Sequence, residues 1–336
     1  MSTKQCLYDL KNLFISDILY NETKSFLGRK CKNMIKNIQE EILKLKKEKN
    51  CCILAHSYVA KEITEIADYV GDSFQLSAAA EKVDNDMILF CGVHFMAETA
   101  KLLSPDKKVV LAAPNAGCPM AEQFTPEEVE AFKKEHPDYA VVSYINTTAA
   151  LKCVTDVCVT SASALNVVGN MKEQNILFIP DINLGSYVKE NFPDKNIVLW
   201  NGGCPIHGRM TAEDAKKAKE LHPDALLLVH PECPPEVCKH ADYIGSTGGI
   251  MKYVEEHDHK EYIIGTEISI AELLSYKYPD RSFYPMHKGL ICADMKETTL
   301  MDVYKALLGT GGLEIEMSKE YIEKASGCIK RMLELN

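Results

Sequence analysis

Part of this chain is written twice. Thr125 to Asn146 (TPEEVEAFKKEHPDYAVVSYIN) aligns without a gap on Thr211 to Glu232 (TAEDAKKAKELHPDALLLVHPE) at an offset of 86 residues. Thr125, Glu127, Lys133, His136, Pro137 and Asp138 return as Thr211, Glu213, Lys219, His222, Pro223 and Asp224. Self-similarity at a fixed period means one supersecondary unit built more than once. Ile53 to Tyr58 falls in the same slot 88 residues before the second copy, so the chain reads as one unit built three times. Within each unit a short β-rich apolar run, a turn with Gly, Pro, Asn or Ser, and a helical stretch alternate, which is the pattern of a parallel sheet covered by helices. Strands are expected at 53–57, around Tyr69, at 87–91 and 109–113; at 140–145, 157–160, 176–180 and 197–200; and at 226–229, 243–245, 262–265 and 283–285.

The expected fold is α/β: three α/β/α sandwich domains related by a pseudo-threefold axis, each with a four-stranded parallel sheet, and the active site at their common centre. Each unit opens on an amphipathic helix. The first, about 33–48, carries Met34, Ile35, Ile38, Ile42 and Leu43 at helical spacing. The other two start at Thr125 and Thr211, each with an acidic residue three positions on, a capping-box pattern. The expected domains are 1–122 (an extension plus the first unit), 123–208, 209–316, and a C-terminal helix at 317–336 packing back on them.

At 336 residues the chain is too long for one hydrophobic core. Its 46% hydrophobic and 26% charged residues describe a chain that folds in water. The 38 basic and 48 acidic residues leave a net charge of −10, so a long phosphate backbone is repelled on average and no nucleic-acid partner is expected. No run approaches the roughly 18 apolar residues of a membrane span, and MSTKQCLYDLKNLFISDI lacks the apolar centre of a signal peptide. The expectation is a cytoplasmic protein with no membrane partner. In that reducing compartment its 13 cysteines, an odd number with no CxxC pair, are buried apolar residues, metal ligands or nucleophiles rather than disulfide halves.

In an open parallel sheet, ligands gather outside the carboxyl ends of the strands. After the first strand of each unit stand His56 and Tyr58, Tyr144 and Asn146, and His230 and Glu232; after the second, Ser73, Ser161 and Thr247; after the fourth, Cys118, Cys204 and Cys292. The spacings are 86 or 88 throughout. If the strand ends face one centre, these side chains converge there. Each also has a plainer use: a hydroxyl caps a helix, a strand-end histidine is a satisfied core residue, a lone cysteine is a small hydrophobe. Hydroxyls at helix starts also suit an anion, so a small anionic molecule is the expected ligand.

Three cysteines in Gly-bearing loops (NAGCPMA, NGGCPIHG, HKGLICADM) point to a shared metal. Structural zinc takes four closed ligands. Thiolates hold iron–sulfur clusters, and three of them leave one iron open to a substrate oxygen as a Lewis acid. His207, three residues after Cys204, keeps a Cys3His zinc site open as an alternative. His56, His230, Tyr58, Tyr144 and Glu232 are the candidate acid–base groups. The other ten cysteines read as filling.

The motifs AHSY (55–58), ADYVGDSFQLS (67–77), FCGVHFMAETAKLLSP (90–105), YINTTAALK (144–152), VTSASA (159–164), HPEC (230–233), GSTGG (245–249) and CADMK (292–296) resemble those of the quinolinate synthases. The resemblance spans about 33–334. It implies three α/β sandwiches in a triangle, with Cys118, Cys204 and Cys292 holding a [4Fe-4S] cluster above a central site. It implies condensation of iminoaspartate with dihydroxyacetone phosphate to quinolinate for NAD biosynthesis, with loss of phosphate and two waters, and a functional link to the enzyme that supplies iminoaspartate. Substrate contacts carry over to His56, Ser73, Tyr144, Asn146, Ser161, His230, Glu232 and Thr247, with Tyr58 and His207 beside the chemistry and Glu232 as the main proton-transfer residue. Some members carry a CxxCxxC run ending on the third ligand; here that stretch is His287-Lys288-Gly289-Leu290-Ile291-Cys292, so a regulatory disulfide there is not expected. Two other functions share these features: an iron–sulfur hydro-lyase on a small anionic substrate, and a non-catalytic iron–sulfur or zinc protein.

Overall fold

The computed structural model describes residues 33–336. The expected N-terminal extension, with Cys6 and Cys31, lies outside the described residues. A helix at 33–48 leads into β1 (Cys51–His56), β2 (Tyr69–Gly71), β3 (Met87–Cys91) and β4 (Lys108–Leu111). A second sheet holds β5 (Ala140–Tyr144), β6 (Val157–Val159), β7 (Asn175–Ile179) and β8 (Asn196–Leu199). A third holds β9 (Leu226–Val229), β10 (Tyr243–Ile244), β11 (Glu261–Gly265) and β12 (Ser282–Pro285). All twelve expected strands are present within two residues of their expected ends. Every sheet has the same order, second-first-third-fourth, and all of these pairs are parallel.

The first and third strands of each sheet bury both faces, which is why they read as continuous apolar runs. Leu54, Ile88, Phe90 and Val109 of the first sheet, Val142, Ile176 and Phe178 of the second, and Leu228, Tyr262 and Ile264 of the third meet in one contiguous core. Their sequence neighbours point the other way, because successive side chains alternate. Ile53, Leu89 and Val110 enter one outer core, Val141 and Leu177 a second, Leu227 and Ile263 a third. Three sandwiches are thus joined through their inner faces.

The repeat also governs polar structure that the letters alone do not announce. Asp68, Asp156 and Asp242 each accept a backbone N–H from the first strand of their unit, from Ile53 at 2.8 Å, Val141 at 2.7 Å and Leu227 at 2.8 Å. Each also pairs with a lysine of the opening helix, Lys46, Lys133 or Lys219. Thr125 and Thr211 are N-caps of Pro126–Glu135 and Ala212–Leu221 with complete capping boxes, as their spacing predicts.

Two features go beyond the expected four-stranded units. Helix Leu300–Leu308 packs Leu300, Val303, Ala306 and Leu307 into the outer core of the first sheet rather than the third. Strand β13 (Leu313–Glu314) then pairs antiparallel with β4, giving the first sheet five strands. Gly309 and Gly312, at φ 76° and 80°, make the turn, in the left-handed region that favours glycine. A two-residue strand has no period to read, and an apolar helix face does not name the sheet it covers. Helix Lys319–Leu335 returns Ala325, Cys328, Ile329 and Met332 to the common core, packing against β6 and helix His94–Leu103.

Candidate active site

The first strands of the first and third units end alike. His56 Nδ1 accepts the Tyr58 N–H at 3.2 Å, and His230 Nδ1 accepts the Glu232 N–H at 3.2 Å. A ring nitrogen that accepts a backbone N–H carries no proton, so in both neutral imidazoles the proton sits on Nε2. His230 Nε2–H donates to Ser161 Oγ at 3.2 Å. Burial pushes His56 from its ordinary 6.5 to about 3, and His230 to about 4, against the pull of the Glu232 charge. Both are neutral hydrogen-bond donors at physiological pH.

A second set of contacts runs across all three units. Tyr144 OH donates to Glu232 Oε1 at 2.6 Å, and His207 Nδ1 donates to Glu232 Oε2 at 2.8 Å. His207 Nε2 then accepts from Thr266 Oγ1 at 3.0 Å. Tyr58 OH lies 2.9 Å from Thr266 Oγ1 and 2.6 Å from Thr247 Oγ1. Burial alone would raise the Glu232 carboxyl, but the nearby His230 and His207 and the hydrogen bonds from His207 and Tyr144 outweigh it and hold Glu232 ionised, well below the usual carboxylate range. Burial, reinforced by the Glu232 charge, pushes both tyrosines well above 10.

The strand-end hydroxyls are not the caps of their helices. Asp72 caps Ser73–Lys82 and Ser246 caps Thr247–Glu256, while helix Ala164–Asn170 follows Ser163. Ser161 and Thr247 instead bond across to His230 and Tyr58. Asp72 Oδ1 accepts the Gln75 N–H, and Asp72 Oδ2 accepts the Gly248 N–H at 3.1 Å, so one carboxylate takes donors from two helix starts. The N–H groups expected to meet an anion there are partly spent, and the hydroxyls are what the helix starts present. Asn146 Oδ1 is buried with no partner among the described residues, an acceptor left open to a ligand.

Cys118, Cys204 and Cys292 are partly exposed, whereas seven of the other described cysteines are buried; Cys153, at the end of a short helix, is partly exposed too but does not line the cavity. Burial pushes the Cys118 thiol up to about 12, Cys292 to about 11, and Cys204 well above its ordinary value. Such thiols stay protonated at neutral pH until a cation takes the place of the proton. Three soft donors from three units fit a thiolate-held iron–sulfur cluster. The donor atoms of Cys204, His207 and Glu232 also lie within 4.8 Å of one another, which fits a single ion.

All thirteen residues singled out from the sequence line one cavity of about 800 Å³, counted out to its open mouth. Phe74, Val93, Phe95, Met120 and Met295 form its apolar wall. Sequence reasoning missed three fully buried residues at the ends of the third strands: Thr266, Glu267 and, at the same 86-residue spacing, Asp181. That spacing was the available signal; an acid ahead of a helix passes for a cap.

Residues 40–334 match the family described as quinolinate synthetase A protein. The chain is 49% identical over 302 residues to a quinolinate synthase of Caldicellulosiruptor saccharolyticus, covering 90% of this chain and 99% of that one. It is 47% identical over 298 residues to a quinolinate synthase of Methanoregula boonei, covering 89% and 98%. It is 46% identical over 295 residues to a quinolinate synthase of Clostridium kluyveri, covering 88% and 97%.

Proposed function

The chain belongs to the quinolinate synthase family, and on that premise we propose that it condenses iminoaspartate with dihydroxyacetone phosphate to quinolinate for NAD biosynthesis, releasing phosphate and two waters. The observation that carries this reading is the meeting of strand-end residues from three units in one cavity. The reaction is redox-neutral. It needs anion binding, proton transfer and help for departing oxygens, and each has residues at hand.

Bound by Cys118, Cys204 and Cys292, a [4Fe-4S] cluster would supply an open iron as Lewis acid for a substrate oxygen. Anionic groups of the substrates are received by neutral donors: the Nε2–H of His56, the hydroxyls of Ser73, Thr247 and Ser161, the last turned toward the cavity by accepting the His230 Nε2–H, and the Asn146 amide. Glu232, with Tyr144 and His207 on its two oxygens, accepts the proton lost in tautomerisation and returns it to a departing hydroxyl. Tyr58, joined to His207 through Thr266, is placed to deliver a proton on the other side. The apolar wall keeps bulk water from the imine and suits the aromatic product. In function the chain depends on a reaction that supplies iminoaspartate. Among the described residues no helix is long and apolar enough to cross a membrane.

The test is anaerobic reconstitution, iron and sulfide analysis, and assay of quinolinate with iminoaspartate formed in the cuvette. About four iron and four sulfide per chain, with quinolinate formed, support the proposal; cluster loss is expected in Cys118→Ser, Cys204→Ser and Cys292→Ser. A loaded cluster without quinolinate would leave a hydro-lyase or a non-catalytic protein. One zinc in place of iron would favour the site at Cys204, His207 and Glu232.

A further inference from the structure

A backbone hydrogen bond recurs three times behind the cysteine loops. His94 N–H donates to Ala116 O at 2.8 Å, Ile182 N–H to Gly202 O at 3.0 Å, and Ile268 N–H to Leu290 O at 2.8 Å. Each acceptor lies two residues before Cys118, Cys204 or Cys292. The residues just ahead of the three donors are Val93, Asp181 and Glu267. In the second unit Asp181 Oδ1 accepts the Leu184 N–H at 2.7 Å and Oδ2 accepts the Cys204 N–H at 2.9 Å. In the third, Glu267 Oε2 accepts the Ser269 N–H at 2.8 Å, while Oε1 accepts the Cys292 N–H at 3.5 Å and lies 3.5 Å from Lys296 Nζ. The first unit has buried Val93 at this point and no carboxylate.

Helix capping does not account for the pair. Asp181 is the N-cap of Ile182–Asn191, which uses only Oδ1; Glu267 is not a cap, since Ile268 holds that place. Both carboxylates are fully buried, a costly placement unless their donors are needed where they are. Besides one helix-start N–H each, what the two acids share is a cysteine N–H.

We propose that Asp181 and Glu267 are positioning residues for the metal-binding thiols, tying the Cys204 and Cys292 loops to the ends of β7 and β11 through the cysteine N–H groups, a tie for which the Cys118 loop has only Val93 in the matching place. This rests on the reading of the three cysteines as cluster ligands. Two tethered ligands and one adjustable one give a site that is preorganised yet able to admit the cluster.

The test uses Asp181→Asn and Glu267→Gln, which keep the oxygens that serve Leu184 and Ser269 but turn an amide N–H2 toward the cysteine N–H. Asp181→Ser, which can still cap but cannot reach Cys204, stands in if the Asn variant does not fold. Alkylation of the metal-free full-length chain, read thiol by thiol by mass spectrometry, should accelerate about tenfold at Cys204 in the Asp181 variants, the factor expected when one buried donor is left unpaired, and by a smaller factor at Cys292 in the Glu267 variant, where the bond is longer. Cys118 should be unchanged. After reconstitution the variants should lose iron to a chelator faster. Equal labelling of the target thiol in variant and wild type overturns the tether, as does equal acceleration at all three. Wild-type protein that takes up no cluster defeats the ligand reading instead, while the labelling still reports whether the tether exists.

Discussion

A strand-end histidine is ambiguous in sequence, and what resolves His56 and His230 is the N–H two residues on, which claims Nδ1 and leaves Nε2 as donor. Because burial lowers both pKa values, the folded chain takes up these two protons only near pH 3 to 4, whereas the unfolded chain takes them up from 6.5 downward. Stability from this source is therefore complete above pH 6.5 and is lost as pH falls toward 4, at up to about 1.4 kcal/mol per unit per histidine. In a proton NMR titration, the resonances of these two rings should stay fixed from pH 8 to 5; a midpoint near 6.5 for either would refute the donor assignment. Glu232 is the residue where the structure sharpens the sequence reading most. Held ionised with both oxygens occupied, it also fixes the tautomer of His207, because only an Nδ1–H can face it. In Glu232→Gln an amide N–H2 would confront that proton, so kcat should fall by about 10² to 10⁴ while KM moves little. Near wild-type turnover would transfer the role to Tyr58, Tyr144 or His56.

At the scale of elements, the twelve strands were legible because a buried parallel strand is a short apolar run between turns, and the threefold repetition checked each against its copies. The places of Ser73, Ser161 and Thr247 were legible from the same spacing. Their use was not, since capping depends on whether the hydroxyl or its neighbour faces the helix, and Asp72 and Ser246 do so. Strand β13 and the return of helix Leu300–Leu308 to the first sheet were hidden because an amphipathic helix does not say which sheet it covers. Gly248 is an element-level constraint with a consequence: a Cβ there would lie 2.8 Å from Asp72 Oδ2. Alanine improves the helix by about 1 kcal/mol. It also displaces a carboxylate whose cap is worth about 0.5 to 2 kcal/mol and whose bond to the Gly248 N–H adds about 1.5 to 3. The loss should win. Gly248→Ala is expected to lower the melting temperature and, by parting Ser73 from Thr247, to raise KM for the phosphorylated substrate; a higher melting temperature with unchanged KM would show that Asp72 yields freely.

Across the whole molecule, the inner faces of three sheets make a single core, so the cavity at their strand ends is rigidly framed without belonging to any one unit. Its charge is the opposite of what the anionic substrates proposed above call for. Asp72, Glu232, Glu267 and Asp294 line it, and among the described residues no lysine or arginine does, on a chain whose net charge is −10. From the protein's own side chains, recognition then comes from neutral donors at close range, where hydrogen-bond geometry discriminates. The field of the protein slows the approach of a phosphate ester rather than steering it. Salt shortens the reach of that repulsion, from about 30 Å at 0.01 M to about 8 Å at 0.15 M. For dihydroxyacetone phosphate, kcat/KM should therefore rise between these two ionic strengths, through KM rather than kcat, and an uncharged analogue of the same size should show no such rise. A steep fall with salt would mean that a cation outside the described cavity wall guides the substrate in, and the account of recognition by neutral donors would fail.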